Sequence, residues 1–173
     1  MDADLTSKII SECKRVEEDT EHSFKSHYNA AEFWSNINLF LGLPAALLGA
    51  IAGGTSAADG AQATVTAAAF LATAFVTCLT FLKPGVKADA HKNAGDLYQT
   101  LRNKTRLFRE IELDDSIPDI DAKKKLIALV DRRDELNSIM PTIPRKAYEK
   151  AKKDIDAGRA KYAVDKEVNN DGK

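Results

Sequence analysis

Gln62, Thr66, Thr73, Thr77 and Thr80 are the residues of this sequence whose types and spacing most suggest a task. At about 100° per residue on a helix they fall within an arc of roughly 60°, while Leu71, Phe75, Leu79 and Leu82 point elsewhere. Hydroxyls and an amide on one narrow face of an otherwise apolar helix can line water. They can equally bond their own helix carbonyls or a neighbouring helix, and both readings stay open at this level. The face has no acid or base, so strong charge selectivity is not expected from it.

Enzyme chemistry has little support. His22, His27 and His91 form no i, i+4 pair with one another, and there is no H-E-x-x-H, G-x-S-x-G or phosphate-cradling glycine loop. The histidines read as helix-surface or interface residues. Glu17, Glu18, Asp19 and Glu21 read as a solvated acidic face rather than as metal ligands. No catalytic residue, no metal site and no cofactor is expected, and the protein is read as not an enzyme. Cys13 and Cys78 have no second cysteine nearby, which leaves a disulfide framework or a zinc site without support and is compatible with a reducing cytoplasm.

Two basic clusters could bind an anion. Arg102, Lys104, Arg106 and Arg109 make one; Arg145, Lys146, Lys150, Lys152 and Lys153 make the other, beside Tyr148. Bases next to an aromatic ring can hold phosphates and stack a nucleobase. Attraction to anionic lipid headgroups, or a solvated face laced with nearby acids, accounts for them as well.

The elements that carry these residues follow from the charge pattern. The chain has 173 residues, with 25 Lys and Arg and 26 Asp and Glu. Between Phe33 and Leu82 only Asp59 is charged, and it separates uncharged runs of 26 and 23 residues. Each run exceeds the roughly 20 residues needed to cross about 30 Å of hydrocarbon. Buried helices of soluble proteins usually keep a polar stripe, so the runs predict two membrane spans, about 35–56 and 62–83, within a transmembrane hairpin over 33–83. A cleaved signal peptide is not expected, because the first 32 residues hold eight acids, four bases and no apolar core.

Residues 1–32 are read as an N-terminal cytoplasmic amphipathic helix. Ile9, Cys13, Val16, Thr20, Phe24, His27, Ala31 and Trp34 follow one another at steps of three and four, which makes a continuous packing seam. No Gly or Pro interrupts this helix before Gly42, so it should run directly into the first span, with Phe33 and Trp34 at the interface. Pro44 is tolerated in a membrane helix. Gly42, Ala46, Gly49 and Gly53 form a small-residue seam suited to close helix packing. GGTSAADGAQ is the turn between the spans, and Lys83, Pro84 and Gly85 break the second helix.

Residues 84–164 are read as a cytoplasmic helical region. Ala90, Ala94, Leu97, Leu101, Phe108 and Ile111 line its first helix, and DDSIPDID ends it. A helix from about Asp121 to Met140 follows, with Ala122, Leu126, Leu129, Val130, Leu136 and Met140 on one side. A last helix is expected from Arg145 to about Val164, and residues 165–173 form a disordered tail. No strand period appears, so the fold class is all-α: a two-helix transmembrane hairpin with long cytoplasmic helices forming a bundle, oligomeric because one hairpin cannot enclose a pore. Residues 83–109 carry seven bases against two acids, which puts both termini in the cytoplasm by the positive-inside rule.

This layout, with the stretches KNAGDLYQTLRNKTRLFRE and IPRKAYEKAKKDIDAGRAKY, resembles the SLATT family, two-transmembrane effectors associated with SMODS nucleotidyltransferases and SLOG domains in prokaryotic conflict systems. The resemblance covers roughly residues 4–163 and lies in architecture and diffuse patches. It implies a pore-forming effector in the inner membrane; because one hairpin cannot enclose a pore, such a pore requires a homo-oligomer of about four or more copies in contact with membrane lipid. It further implies gating by a nucleotide or oligonucleotide signal from a partner nucleotidyltransferase, so that permeabilisation halts an infected cell. Two rivals are a soluble helical toxin that inserts on contact with a membrane, and a membrane scaffold that conducts nothing.

Overall fold

The computed structural model describes residues 3–57, 62–114 and 116–159, and among these every regular element is helical. α1 spans Ala3–Ala57, α2 Gln62–Leu82, α3 Pro84–Leu107, α4 Asp119–Ile139 and α5 Arg145–Asp156, with a π-helical turn at Phe108–Glu112 after α3. The expected disordered tail, 165–173, lies outside the described residues, as do 58–61 of the turn between the apolar segments. Gly53 and Gly54, assigned to that turn, are instead the last turn but one of α1, where Gly is unfavourable by about 1 kcal/mol but not excluded.

The chain forms two compact units, one of 1–30 with 91–173 and one of 31–90. α1 is continuous from the first into the second, with Pro44 inside it, as the absence of an earlier breaker led one to expect. Both apolar stretches lie on helices long and apolar enough to cross a membrane, and only 6% of each apolar window is buried. A core helix of a soluble domain would be mostly buried.

In the first unit, the α1 seam is the core. Ile9, Cys13, Val16, Thr20 and His27 are all buried, and Phe24 packs against them. The α3 side supplies Ala94, Tyr98, Leu101, Thr105 and Phe108, and α4 supplies Ala122, Leu129 and Leu136. Buried hydroxyls are satisfied within their own helices: Thr20 Oγ1 donates to the Val16 carbonyl (2.6 Å) and Thr105 Oγ1 to that of Leu101 (2.9 Å).

Two positions of the expected α3 face differ. Ala90 is exposed, and Ile111 is 67% exposed. The physical reason for Ile111 is the π-helical turn: the Leu113 amide donates to the Phe108 carbonyl at 2.9 Å, an i to i+5 bond. That wider turn changes the phase and swings Ile111 off the buried side.

α5 stops at Asp156, short of the expected Val164. Gly158 takes a positive φ of 71°, its amide donates to the Ile155 carbonyl (2.8 Å), and the Arg159 amide reaches back to Asp154 (3.1 Å). This is a Schellman stop built on the one residue without a Cβ penalty there. The α2–α3 break falls at the expected KPG: Lys83 adopts φ 47°, and Pro84 opens α3. A residue before proline is disfavoured in the right-handed helical region, so Lys83 leaves it.

Candidate functional site

In the second unit, the half-buried or buried positions of α2 are Val65, Ala68, Ala72, Phe75 and Leu79, at steps of three and four. On α1 the covered positions include Leu41, Ala45, Leu48 and Ala52. A Cβ on Gly42 would meet Leu79 Cδ1 at 4.0 Å, one on Gly85 would meet Asn38 Oδ1 at 3.5 Å, and Lys87 Nζ sits 4.2 Å over the Trp34 ring. Phe33, Leu39, Phe40, Leu43, Leu47, Ile51, Phe70, Val76 and Phe81 remain exposed large apolar residues, the kind of surface that marks a membrane or protein interface.

Gln62, Thr66, Thr73, Thr77 and Thr80 are all exposed and lie off the covered stripe of α2. Each threonine hydroxyl donates to the carbonyl four residues earlier: Thr66 to Gln62 at 2.9 Å, Thr73 to Ala69 and Thr77 to Thr73 at 2.8 Å, and Thr80 to Val76 at 2.9 Å. The donors are thereby satisfied within the helix, while the oxygens keep acceptor capacity toward whatever faces them. Thr73, Thr77 and Thr80 share an open groove of about 400 Å³ with Ala45, Gly49, Ala72, Val76 and Phe81.

The small-residue seam divides. Gly42 faces Leu79, Ala46 is exposed, and a Cβ on Gly49 or Gly53 would meet nothing within 4 Å. The close approach available at Gly49 and Gly53 is therefore not used within one chain.

The basic clusters also divide. Arg102 of α3 and Arg109 of the π-helical turn after it both face α1. Arg102 Nη2 donates to Glu21 (3.2 Å) and Arg109 grips Glu17, their side chains only 12–17% exposed. Glu17 and Glu21 are thus partners of half-buried cations, not a solvated face. Glu17 raises the pKa of Arg109 still further. Lys104 is exposed and Arg106 half-buried, so the four do not converge on one spot. On α5 the side chains of Ala147 and Ala151 are buried, and Arg145, Lys146, Tyr148, Lys150, Lys152 and Lys153 are all exposed. Arg145 pairs with Glu149 at 2.7 Å. Tyr148 lies 6.0 Å from the His22 ring, beside a polar pocket that also contains Glu18, Asp19, Ser23, Arg133 and Asn137.

Sequence reasoning missed the pairing of histidines. His27 and His91 are both buried, with their Nδ1 atoms 2.9 Å apart and His27 stacked on Tyr98. Burial pushes both imidazoles toward the neutral form, His27 to about 4 with His91 as a second cause. Their separation of 64 positions leaves no local signal. Nearby, the Tyr28 hydroxyl donates to Asp96 (2.7 Å) and lies 2.8 Å from Gln99 Oε1; burial and then Asp96 push its pKa up to about 12. Lys92 and Tyr28 in turn hold Asp96 below the usual carboxylate range.

Among the described residues no three His, Cys, Asp or Glu side chains gather as metal ligands. No family model, no curated protein and no solved structure matches the chain.

Proposed function

We propose that the protein is a pore-forming membrane effector that acts as a homo-oligomer, of the SLATT kind its sequence resembles. The observation that carries this reading is the pair of span-length apolar helices whose apolar windows are 6% buried. The face of threonines Thr66, Thr73, Thr77 and Thr80, exposed on the second of them, adds to it. In this reading the apolar part of α1 and the whole of α2 form a two-span hairpin in the inner membrane, with both termini in the cytoplasm. Lipid covers the exposed Phe and Leu side chains, and neighbouring copies approach along Gly49 and Gly53. The threonine oxygens line water.

The signal is a nucleotide or oligonucleotide made by a partner nucleotidyltransferase in antiviral defence. Its place is the exposed face of α5, with Arg145, Lys146, Tyr148, Lys150, Lys152 and Lys153, because Arg102 and Arg109 are committed to Glu21 and Glu17.

Ion flux from liposomes containing the purified protein tests the reading. Thr77→Leu and Thr73→Leu are expected to lower flux several-fold relative to wild type at equal incorporation. Flux unchanged by both would remove the threonine face from the pore, and no flux from wild type under any added nucleotide would leave a non-conducting scaffold. Recovery of the protein in the soluble fraction without detergent would favour an inserting toxin.

A further inference from the structure

His27 and His91 come from α1 and α3 and meet through their Nδ1 atoms at 2.9 Å, each ring buried, 1% and 5% exposed. Two ring nitrogens at that distance share one hydrogen: one ring donates Nδ1–H, and the other accepts and must lack a proton there. A first added proton goes to the bare Nε2 of the donating ring, which keeps the Nδ1–H···Nδ1 bond but leaves a charge inside the core; a second sets two Nδ1–H groups face to face and breaks it.

Among the described residues no carboxylate bonds to either ring. On α3, Tyr98 stacks on His27 at 5.5 Å, and its hydroxyl donates to Asn137 of α4 (2.8 Å). Asp96 is held by Lys92 and by Tyr28 of α1. Farther along the same two helices, Glu17 and Glu21 are paired with Arg109 and Arg102. From α4, Arg133 pairs with Asp19 of α1 and with Asp134. From α5, the Ala147 carbonyl accepts from Asn29 (3.2 Å) and Tyr148 stands by His22. In chain order the pair is placed at a boundary: the first segment of this unit ends at Ala30, and the second begins at His91.

We propose that His27 and His91 form an acid-operated latch that holds α1 to α3 within the first unit, closed while both rings are neutral and released once both are protonated. The sign follows from linkage. Both rings titrate below the ordinary imidazole value, His27 at about 4, so the released state binds more protons than the latched one. The latch is at full strength above about pH 6.5 and weakens as pH falls from there toward 4. This device does not depend on whether the protein conducts.

Thermal unfolding of the full chain in detergent micelles, from pH 8 to pH 5, tests it with wild type and His91→Gln. The glutamine amide can still bond His27 but removes one titrating ring. Wild type is expected to lose about 5 °C or more of Tm between pH 7 and pH 5, and His91→Gln less than half of that. A flat wild-type profile, or an equally steep one for His91→Gln, overturns the latch. Should His91→Gln not fold, NMR of wild type labelled at its histidines decides. Two imidazoles still neutral in the folded protein at pH 5.5 support the proposal, and three charged ones overturn it.

Discussion

Arg109 closes a two-pronged bond on Glu17, with Nε 2.7 Å from one carboxylate oxygen and Nη2 3.1 Å from the other. The residues stand 92 positions apart, and their side chains are 16% and 12% exposed. Forked guanidinium–carboxylate contacts fix geometry as well as charge. Arg109→Ala leaves Glu17 half-buried without its partner and should cost about 2–3 kcal/mol in detergent unfolding. Arg109→Lys should recover only part of that, since a point charge cannot make both bonds. Full recovery by lysine would mean that the fork is unimportant.

Gly95 predicts a steric lesion. A Cβ there would stand 2.7 Å from Tyr28 Cε1 and 2.8 Å from Cδ1. Gly95→Ala must push aside a ring whose hydroxyl is anchored to Asp96, and should destabilise by roughly 2 kcal/mol. Tyr28→Ser should remove most of that penalty in a double-mutant cycle. Additive losses would show that the ring is not what the methyl meets.

Cys13 should be inert while the protein is folded. It is wholly buried, and burial, followed by the charge of Glu17, raises its thiol to about 11. Because the thiolate is the reactive form, alkylation at pH 8 of a Cys78→Ser variant should track unfolding rather than added reagent. Rapid labelling in the native state would contradict the burial.

Lys83 sits at φ 47°, which costs a side-chain-bearing residue about 1–2 kcal/mol. Lys83→Gly should therefore raise stability by up to about 1 kcal/mol, offset in part by greater freedom of the unfolded chain. Lys83→Ala should give no such gain. If alanine stabilises as much as glycine, the lysine charge and not the backbone is the cause.

The helical seam of α1 was legible because one repeated step, three then four, ran through Ile9, Cys13, Val16, Thr20 and His27, and all five are buried. The apolar runs were legible from the absence of charge alone. Less local features were not. The π-helical turn that exposes Ile111 leaves no periodic mark, and the stop at Gly158 was lost in a charged stretch that otherwise favours helix. The basic clusters were grouped by nearness in sequence, whereas a helix sorts residues by phase. Arg102 and Arg109 turn to α1, and Lys104 turns to solvent. His27 and His91 could be joined only by knowing that α1 lies on α3.

The bundle unit is discontinuous, with the 60 residues of 31–90 between its two segments. During synthesis at ~5–20 residues per second, its N-terminal helix waits roughly 3–12 s before His91 and the rest of α3 begin to appear. Ile9, Cys13 and Val16 stand uncovered for that interval. The apolar segment must be made before the bundle has anything to close upon. Slow translation over 31–90 would therefore lengthen the exposure of a helix far upstream.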